Sequence, residues 1–244
     1  MNLLVFDLDG TLTRTNDVDA RCFAESMIDL LPPGVMDTDR NIDWASYEHT
    51  TDPGIVEELW DRVRGRSPHD EEIRRHQSRF LELLRAAAEQ TPEQFGLIEG
   101  AQAVLDHLAD PAAESGRHGW RACIATGSWG VSAPMKIEAA GLQTHDLPIA
   151  TGDDGMSREE IVRAAVAAAR NRYGVAKFDR VVSVGDAIWD VRNAANLELP
   201  FLGVGDGERA KRLIAAGADH VMKHYPPPAA FLDLAASVGV PRSA

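Results

Sequence analysis

Hydrophobic residues in this chain fall into short continuous runs separated by stretches with helical spacing. Leu3-Leu4-Val5-Phe6 is an apolar run of the kind that a strand buried on both faces shows. From about residue 96 onward, similar runs alternate with helical patterns. The predicted later strands are Trp120 to Ala125, Leu147 to Ala150, Val181 to Val184, Phe201 to Val204 and His220 to Met222. Such alternation predicts a parallel sheet with helices on both faces.

One long stretch after the first strand departs from this alternation. It contains three helical patterns and no convincing strand. The predicted helices are Asp17 to Leu31, Asp52 to Val63 and Asp70 to Ala88. We therefore predict an α/β fold with a Rossmann-like parallel-sheet core, residues 1–15 and 96–244, and an α-helical domain, residues 16–95, inserted after the first strand.

The composition is that of an ordinary globular protein, and it excludes several classes of function. Of 244 residues, 44% are hydrophobic and 26% are charged. No apolar run approaches the roughly 18 residues of a membrane span. The net charge of -13 argues against a generic binder of nucleic acid or anionic membranes. Because a secretory signal is missing and Cys22 and Cys123 have no metal-ligand spacing, we expect a cytoplasmic protein with buried thiols.

The negative charge is concentrated in the predicted helical insertion. Residues 16–94 contain 18 Asp and Glu against 9 Arg and no Lys, a net charge of -9, which leaves -4 for the rest of the chain. This asymmetry indicates two regions under different constraints.

The ends of three predicted strands carry the residues with the clearest chemistry. These residues are Asp7 and Asp9, Thr126 and Gly127, and Asp186 and Asp190. Ligands of open α/β sheets bind at the carboxyl ends of the strands, so we expect these groups to meet at one edge. Four carboxylates close together repel one another, and a hard divalent cation relieves that repulsion. Oxygen ligands without nearby His or Cys favour Mg2+.

A phosphate commonly completes the ligands of a Mg2+ ion held by carboxylates. Thr126 and the backbone amide after it, where a strand leads into a helix, are placed to donate hydrogen bonds to phosphate oxygens. Arg158 and Lys136 are the candidates for a cation that offsets the remaining negative charge. This combination indicates phosphoryl transfer with a carboxylate nucleophile.

Three motifs in this order give the chain a resemblance to the phosphatase branch of the haloacid dehalogenase superfamily. They are Asp7-Leu8-Asp9-Gly10-Thr11-Leu12, Ile124-Ala125-Thr126-Gly127 and Gly185-Asp186-Ala187-Ile188-Trp189-Asp190. The first motif is specific, and the resemblance spans nearly the whole chain. The helical insertion lies where this family carries its C1-type cap domain.

The resemblance implies a role for each acidic residue. Asp7 would attack phosphorus and become the aspartyl-phosphate, and Asp9 would act as general acid and then as general base. Mg2+ would be held by Asp7, the backbone carbonyl of Asp9 and Asp186, with Asp190 supporting the waters of the metal. Dehalogenases of the superfamily lack the second Asp, so Asp9 argues against carbon–halogen chemistry. Phosphonate cleavage uses a lysine in the cap, and this insertion has none.

The third motif of the family, normally a lysine ahead of the fourth motif, departs from the pattern here. Arg158 lies 28 residues before Asp186, at the first turn of a helix opened by a Ser157-Arg158-Glu159-Glu160 capping box. An arginine takes this role in some relatives. We favour Arg158 for the third motif and keep Lys136 as the alternative.

The predicted function is a Mg2+-dependent phosphohydrolase acting on a small phosphorylated metabolite. His49, Thr50 and Asp52 in the insertion are candidate substrate contacts. We expect no nucleic-acid or membrane partner, and the oligomeric state is open.

Two alternatives remain. A phosphomutase similar to β-phosphoglucomutase shares every catalytic residue that the resemblance implies. A phosphate-binding or phospho-acceptor module is the non-enzymatic alternative, although receiver-type modules have no inserted helical domain.

Overall fold

In the part of the chain that the structure describes, six parallel strands form one central sheet, as the alternating pattern predicts. The computed structural model describes residues 1–28, 30–32, 35, 42–110 and 119–242. The strands are β1 (Asn2–Phe6), β2 (Trp120–Ala125), β3 (Ile149–Ala150), β4 (Arg180–Gly185), β5 (Phe201–Val204) and β6 (Val221–Met222). Their order across the sheet is β3-β2-β1-β4-β5-β6, and neighbouring strands pair in parallel.

Helices cover both faces of this sheet. The helices of the described residues are α1 (Asn16–Ile28), α2 (Asp52–Arg64), α3 (Asp70–Gln90), α4 (Ala101–Ala109), α5 (Ala133–Ala140), α6 (Arg158–Tyr173), α7 (Ile188–Asn196), α8 (Gly207–Ala215) and α9 (Pro228–Ser237). Of these, α1 to α3 belong to the insertion after β1 and not to the layers on the sheet. Residues of α4 and α9 pack with Leu4 and Phe6, whereas residues of α6 pack with Leu3 and Val5. Because β1 is buried on both faces, successive positions are all apolar.

The strand order reverses between β1 and β4. From β1 the sheet continues to β2 and β3 on one side, and from β4 it continues to β5 and β6 on the other. Phe6 of β1 lies opposite Val184 of β4, so the two strands end at the same level. In open α/β sheets, ligands bind in the crevice outside the carboxyl ends of the strands at such a reversal. Asp7 leaves β1 and Asp186 leaves β4 at this crevice.

Residues 16–95, which we call the helical insert, form α1, α2 and α3 and share a hydrophobic core. Trp60 and Phe80 in this core are fully buried. The Thr51 hydroxyl accepts a hydrogen bond from the Gly54 amide at 3.1 Å and so caps α2 one residue before Asp52. The described part of the insert thus contains three α-helices that pack through apolar side chains, and it contains no strand.

Trp129, which follows β2, completes the core of the helical insert. Its indole is 2% exposed. The ring packs against the rings of Phe23, His76 and Phe80. Asp52, the first residue of α2, accepts a hydrogen bond from the Trp129 amide at 2.9 Å and donates its own amide to the Gly127 carbonyl at 2.8 Å. The insert is therefore docked on the loop that follows β2.

Several predicted boundaries differ from the structure by one to three residues. β3 is predicted from Leu147 but begins at Ile149, because the Leu147 amide donates to Thr144 in a turn and Pro148 has no amide hydrogen. α1 ends at Ile28 and not at Leu31, and residue 29 lies outside the described residues. The boundaries of the helical domain at residues 16 and 95 stay a prediction.

The described residues include no helix that is both long and apolar enough to cross a membrane. Both cysteines are free thiols in the interior, Cys22 in α1 and Cys123 in β2. Burial raises the pKa of Cys22 to about 11, as expected for a thiol that packs as a small apolar group.

His76 is the buried titratable residue of the insert core. Its Nε2 lies 2.6 Å from the Ser26 hydroxyl, and its Nδ1 has no hydrogen-bond partner. The ring lies edge-on to Phe23 at 4.8 Å and nearly parallel to Phe80. Burial lowers the pKa of His76 from 6.5 to about 4, so the folded protein holds the ring neutral.

This depressed pKa predicts a loss of stability in mild acid. Below pH 6.5 the unfolded chain binds a proton at His76, whereas the folded chain binds it only near pH 4. The free energy of unfolding therefore falls as the pH falls through this window. Urea unfolding at pH 7 and pH 4.5 should show an acid loss about 2 to 3 kcal/mol smaller for His76→Phe than for the wild type. Equal losses in the two proteins would show that His76 is not held neutral.

Candidate active site

The loop after β1 folds back tightly and directs two aspartates to the sheet edge. The Asp7 amide donates to the Val184 carbonyl at 2.9 Å, so the first residue beyond β1 is still paired with β4. The Thr13 amide then returns to the Leu8 carbonyl at 3.0 Å, and Gly10 turns the chain with a φ of 80°. A left-handed turn of this kind favours glycine, which explains that residue of the first motif.

Three aspartates form a cluster that we call the acidic trio: Asp7 after β1, Asp186 after β4 and Asp190 in the first turn of α7. One carboxylate oxygen of each lies within 4.8 Å of the others. The residues are only 8%, 4% and 4% exposed. Burial, and then the charge of Asp190, raise the pKa of Asp7 well above its usual range and that of Asp186 to about 7. These shifts indicate negative charge in excess of what the protein neutralises.

Asp190 and Asp186 are held by different partners. The Asp190 carboxylate accepts hydrogen bonds from the amides of Asp186 at 3.2 Å and Ala187 at 3.0 Å, at the start of α7. Asp186 accepts from Asn16 of the helical insert at 2.9 Å and from Arg209 of α8 at 2.7 Å. Arg209 is thus a cation of the site that no sequence motif revealed.

Arg158, the favoured third-motif cation, lies beside the predicted nucleophile. Its Nη1 donates to Asp7 at 3.0 Å and to Asp190 at 3.2 Å. Its Nε donates to the Thr50 carbonyl of the insert at 3.1 Å, and the guanidinium lies over the Trp189 ring at 5.8 Å. Arg158 therefore joins the acidic trio to the helical insert.

Lys136, the alternative cation, lies beside the other predicted catalytic aspartate. Its Nζ is 2.6 Å from the carboxylates of Asp9 and Asp19 and from the Ser128 hydroxyl. Burial by itself raises the pKa of Asp9, but the charge of Lys136 and the hydrogen bonds from Lys136, Thr15 and Ser128 outweigh it and lower the pKa. The Asp9 carboxylate thus stands apart from the acidic trio, and its predicted metal contact through the backbone carbonyl stays a prediction.

Thr126 and Gly127 end β2 next to Arg158. The Thr126 hydroxyl is buried and accepts a hydrogen bond from the Ser128 amide at 3.2 Å. A Cβ atom on Gly127 would lie 3.1 Å from both Arg158 Nη2 and the Thr50 carbonyl. Glycine therefore lets the guanidinium and the insert approach the backbone closely, and both motif residues line the cavity described below.

A cavity of about 80 Å³ joins these groups, and a wider cleft of about 590 Å³ shares part of its wall. The insert residues that line the cavity are Asn16, Asp19, Ala20, Phe23, Trp44, Thr50, Asp52 and Ile55. Of the three candidate substrate contacts, Thr50 and Asp52 are thus present in the described wall, whereas His49 is outside it. Burial and the charge of Asp19 raise the pKa of Asp52 to about 8.

Several residues of the site are absent from the sequence predictions. Asn16, Asp19 and Phe23 come from one face of α1, and Trp189 lies within the fourth motif. The spacing of three and four residues between the α1 positions is the signal that would have placed them together on a helix. Arg209 has no comparable signal, because its position depends on how α8 packs.

The acidic trio fits a hard divalent cation. Each donor is a carboxylate oxygen, the ligand type that Mg2+ prefers. Two arginines, Arg158 and Arg209, pair with the three carboxylates and leave a net negative charge. A dication would offset this charge and lower the raised pKa values.

Comparisons with known proteins agree with this geometry. A family model described as a haloacid dehalogenase-like hydrolase matches residues 1–197. No curated protein sequence matches the chain significantly. The solved structures that share the fold include the following three. A hydrolase from Pseudomonas syringae has a TM-score of 0.68 at 23% identity and covers 96% of this chain and 99% of its own. A protein proposed to be a beta-phosphoglucomutase, from Bacteroides vulgatus, has a TM-score of 0.64 at 17% identity, with 97% and 89% coverage. CbbY from Rhodobacter sphaeroides, in complex with phosphate, has a TM-score of 0.59 at 18% identity, with 91% and 93% coverage.

The turn at Gly10 predicts a steric effect that can be measured without any ligand. A Cβ atom there would lie 2.2 Å from Asp186 Oδ2, whereas at Gly174, with a φ of 65°, it would meet nothing within 4 Å. Gly174→Ala should cost about 1 to 2 kcal/mol from backbone strain alone. Gly10→Ala should cost about 1 to 3 kcal/mol more, because Asp186 must move. Urea unfolding of both variants tests this, and equal costs would contradict the close approach.

Proposed function

Because the chain belongs to the haloacid dehalogenase-like hydrolase family, we propose that it is a Mg2+-dependent phosphatase that uses Asp7 as a nucleophile. The observation that carries this proposal is the pairing of Asp7 with Arg158 at 3.0 Å inside a buried cavity, with Asp9 held separately by Lys136. In this proposal Asp7 attacks the phosphoryl group that Arg158 binds, and Asp9 transfers the proton.

The metal in this proposal is bound by oxygen atoms of the chain. Asp7, Asp186 and the backbone carbonyl of Asp9 would hold Mg2+, and Asp190 would support its waters. When bound, Mg2+ supplies positive charge that offsets the acidic trio and polarises the phosphoryl group.

The first chemical step forms a bond between an Asp7 carboxylate oxygen and phosphorus as the bond from phosphorus to the leaving oxygen breaks. Asp9 gives its proton to that oxygen. An anionic phosphate close to Asp9 favours protonation of the carboxyl, which counteracts the effect of Lys136 on its pKa. In the second step water attacks phosphorus, Asp9 takes the water proton, and the Asp7–phosphorus bond breaks to release phosphate.

The remaining site residues bind the phosphoryl group and exclude water. The Arg158 guanidinium balances charge on the phosphoryl oxygens, and Thr126 with the amide of Gly127 donates hydrogen bonds to them. We propose that residues 16–95 act as a cap domain over the cavity, since Thr50 and Asp52 reach the lining from the insert.

The substrate in this proposal is a small phosphorylated metabolite. A cavity of about 80 Å³ accepts a phosphoryl group and little more, so the rest of the substrate extends along Trp44 and Trp189 into the wider cleft that these residues also line. The family relation supports the roles proposed for Asp7, Asp9, Arg158 and Asp186.

A phosphomutase is the second candidate, favoured by the fold shared with the Bacteroides vulgatus protein. Both reactions use the same aspartyl-phosphate. They differ in the acceptor of the phosphoryl group, which is water in a phosphatase and a hydroxyl of the bound intermediate in a mutase. Incubation with sugar monophosphates, with and without the matching bisphosphate, separates the two by free phosphate against isomerised product.

Replacement of the nucleophile is the direct test of the proposed function. Asp7→Asn should lower Mg2+-dependent phosphate release from an aryl phosphate and from a panel of phosphorylated metabolites by roughly 10³-fold or more. Asp106→Asn removes a carboxylate from an exposed pair with His145 and serves as the control with normal turnover. Substantial activity in Asp7→Asn would reject Asp7 as the nucleophile.

Metal binding has a readout that does not depend on turnover. Mg2+ at a hundred times its dissociation constant should stabilise the wild type by about 2.7 kcal/mol in thermal unfolding, with sodium chloride at equal ionic strength as reference. Asp186→Asn should lose most of this gain, whereas Asp106→Asn should keep it. A gain that is equal in all three proteins would place the metal elsewhere.

A further inference from the structure

Lys136 is a buried amine to which the proposed reaction assigns no chemical step. It lies in α5 of the sheet core, and its side chain is 0% exposed. Its ammonium group is 2.6 Å from Asp9 Oδ2, 2.6 Å from Asp19 Oδ1 and 2.6 Å from Ser128 Oγ. An ammonium has three donors and no acceptor, so these three oxygens satisfy it completely.

Such a group is costly to bury and is fixed once it is buried. Removing a charged amine from water costs several kcal/mol in a protein interior, and only close partners of opposite charge offset that cost. With three partners in place, the Lys136 ammonium cannot shift toward one of them without loss of a hydrogen bond to another. The Lys136 ammonium therefore holds the side chains that it contacts in fixed positions.

The Asp9 carboxylate is what this support holds. Lys136 and Ser128 bind one oxygen of Asp9, the latter at 3.0 Å, and the Thr15 hydroxyl binds the other. Both oxygens are thus fixed, and the plane of the carboxyl group is set by groups outside the acidic trio. Proton transfer to a leaving oxygen depends on this orientation.

Asp19 makes the support depend on the helical insert. It belongs to α1 of the insert, whereas Lys136, Ser128 and Asp9 belong to the sheet core. The Asp19 carboxylate and the Asp9 carboxylate each accept a hydrogen bond from the same ammonium. With the insert undocked, the ammonium would lose Asp19 as a partner, and the Asp9 carboxylate would lose its fixed support.

We propose that Lys136, anchored by Asp19, is a positioning residue that orients the Asp9 carboxyl for proton transfer and ties that orientation to the docked helical insert. This proposal rests on the proposed function. It differs from a phosphate-binding role, because the ion pairs of Lys136 go to Asp9 and Asp19, whereas Arg158 is the cation paired with Asp7.

The two roles respond differently to the leaving group of the substrate. An alkyl phosphate leaves as a basic alkoxide and needs the proton from Asp9, whereas a nitrophenyl phosphate leaves as a weakly basic phenolate and does not. The ratio kcat/KM reports the first step, from free enzyme to departure of the leaving group. Loss of phosphate binding lowers kcat/KM for both substrates, and loss of Asp9 orientation lowers it for the alkyl phosphate alone.

The experiment compares the wild type with Asp19→Asn and Lys136→Met on these two substrates with Mg2+. Asp19→Asn should lower kcat/KM about tenfold for the alkyl phosphate and no more than about twofold for the nitrophenyl phosphate, and Lys136→Met about a hundredfold for the alkyl phosphate. Both variants should show a burst of nitrophenolate followed by slow turnover, because Asp9 must also accept the water proton in the second step.

Two controls fix the interpretation. Asp61→Asn removes the same charge from an exposed position of α2 in the helical insert, outside the linings of the cavity and the cleft, and should leave both values of kcat/KM unchanged. Arg158→Met should lower both values to a similar extent. If Lys136→Met does not fold, Asp19→Asn, which keeps the shape of the side chain, decides alone.

Each result counts for or against the proposal. Equal losses on the two substrates in Asp19→Asn and Lys136→Met, or unchanged alkyl-phosphate activity in both, would overturn the positioning role while the wild type remains a phosphatase. A wild type that is inactive on both substrates and on a panel of phosphorylated metabolites would overturn the proposed function, and the positioning role with it.

Discussion

Mutual repulsion of carboxylates is the constraint on which the rest of this site depends. The sheet order brings the ends of β1 and β4 together, and an aspartate directly follows each of these strands. Negative charges are therefore gathered in a buried crevice. Two separate sets of ion pairs limit the free-energy cost of burying these charges. Arg158 and Arg209 pair with the acidic trio, and Lys136 pairs with Asp9 and Asp19. Burial, with repulsion between Asp190 and its two neighbours, raises the pKa values of the trio, whereas the charge and hydrogen bonds of Lys136 outweigh burial at Asp9 and lower its pKa.

Because different cations pair with them, the two aspartates of the first motif have different surroundings. Asp7 and Asp9 are separated by a single residue, and both are buried. Asp7 lies in a field of like charges, which suits a group that binds a cation and attacks an electrophile. Asp9 is held by an ammonium and by hydroxyl groups, which suits a group that must keep one orientation through two proton transfers. The environment, more than the residue type, separates their roles.

The sheet and the motif residues could be predicted from the sequence because local patterns determine them. The continuous apolar run at Leu3 to Phe6 reflects burial on both faces, and the acids that follow β1 and β4 meet because parallel strands end at one edge. Residues placed by packing between distant elements could not be predicted in this way. Arg209 reaches Asp186 only through the position of α8, and Asp19 reaches Lys136 only through the docking of α1. The choice between Arg158 and Lys136 was similarly open in the sequence, since it rests on which carboxylate each cation meets in space.

The indole of Trp129 belongs by sequence to the sheet core and by packing to the insert. The core and the insert therefore share one interior at this position. An insert taken from another chain would have no pocket for the Trp129 indole. This insert placed on another core would carry an unfilled hole beside Phe23 and Phe80. Substrate preference in this protein is therefore more open to change by single substitutions in the cavity wall than by recombination of whole modules.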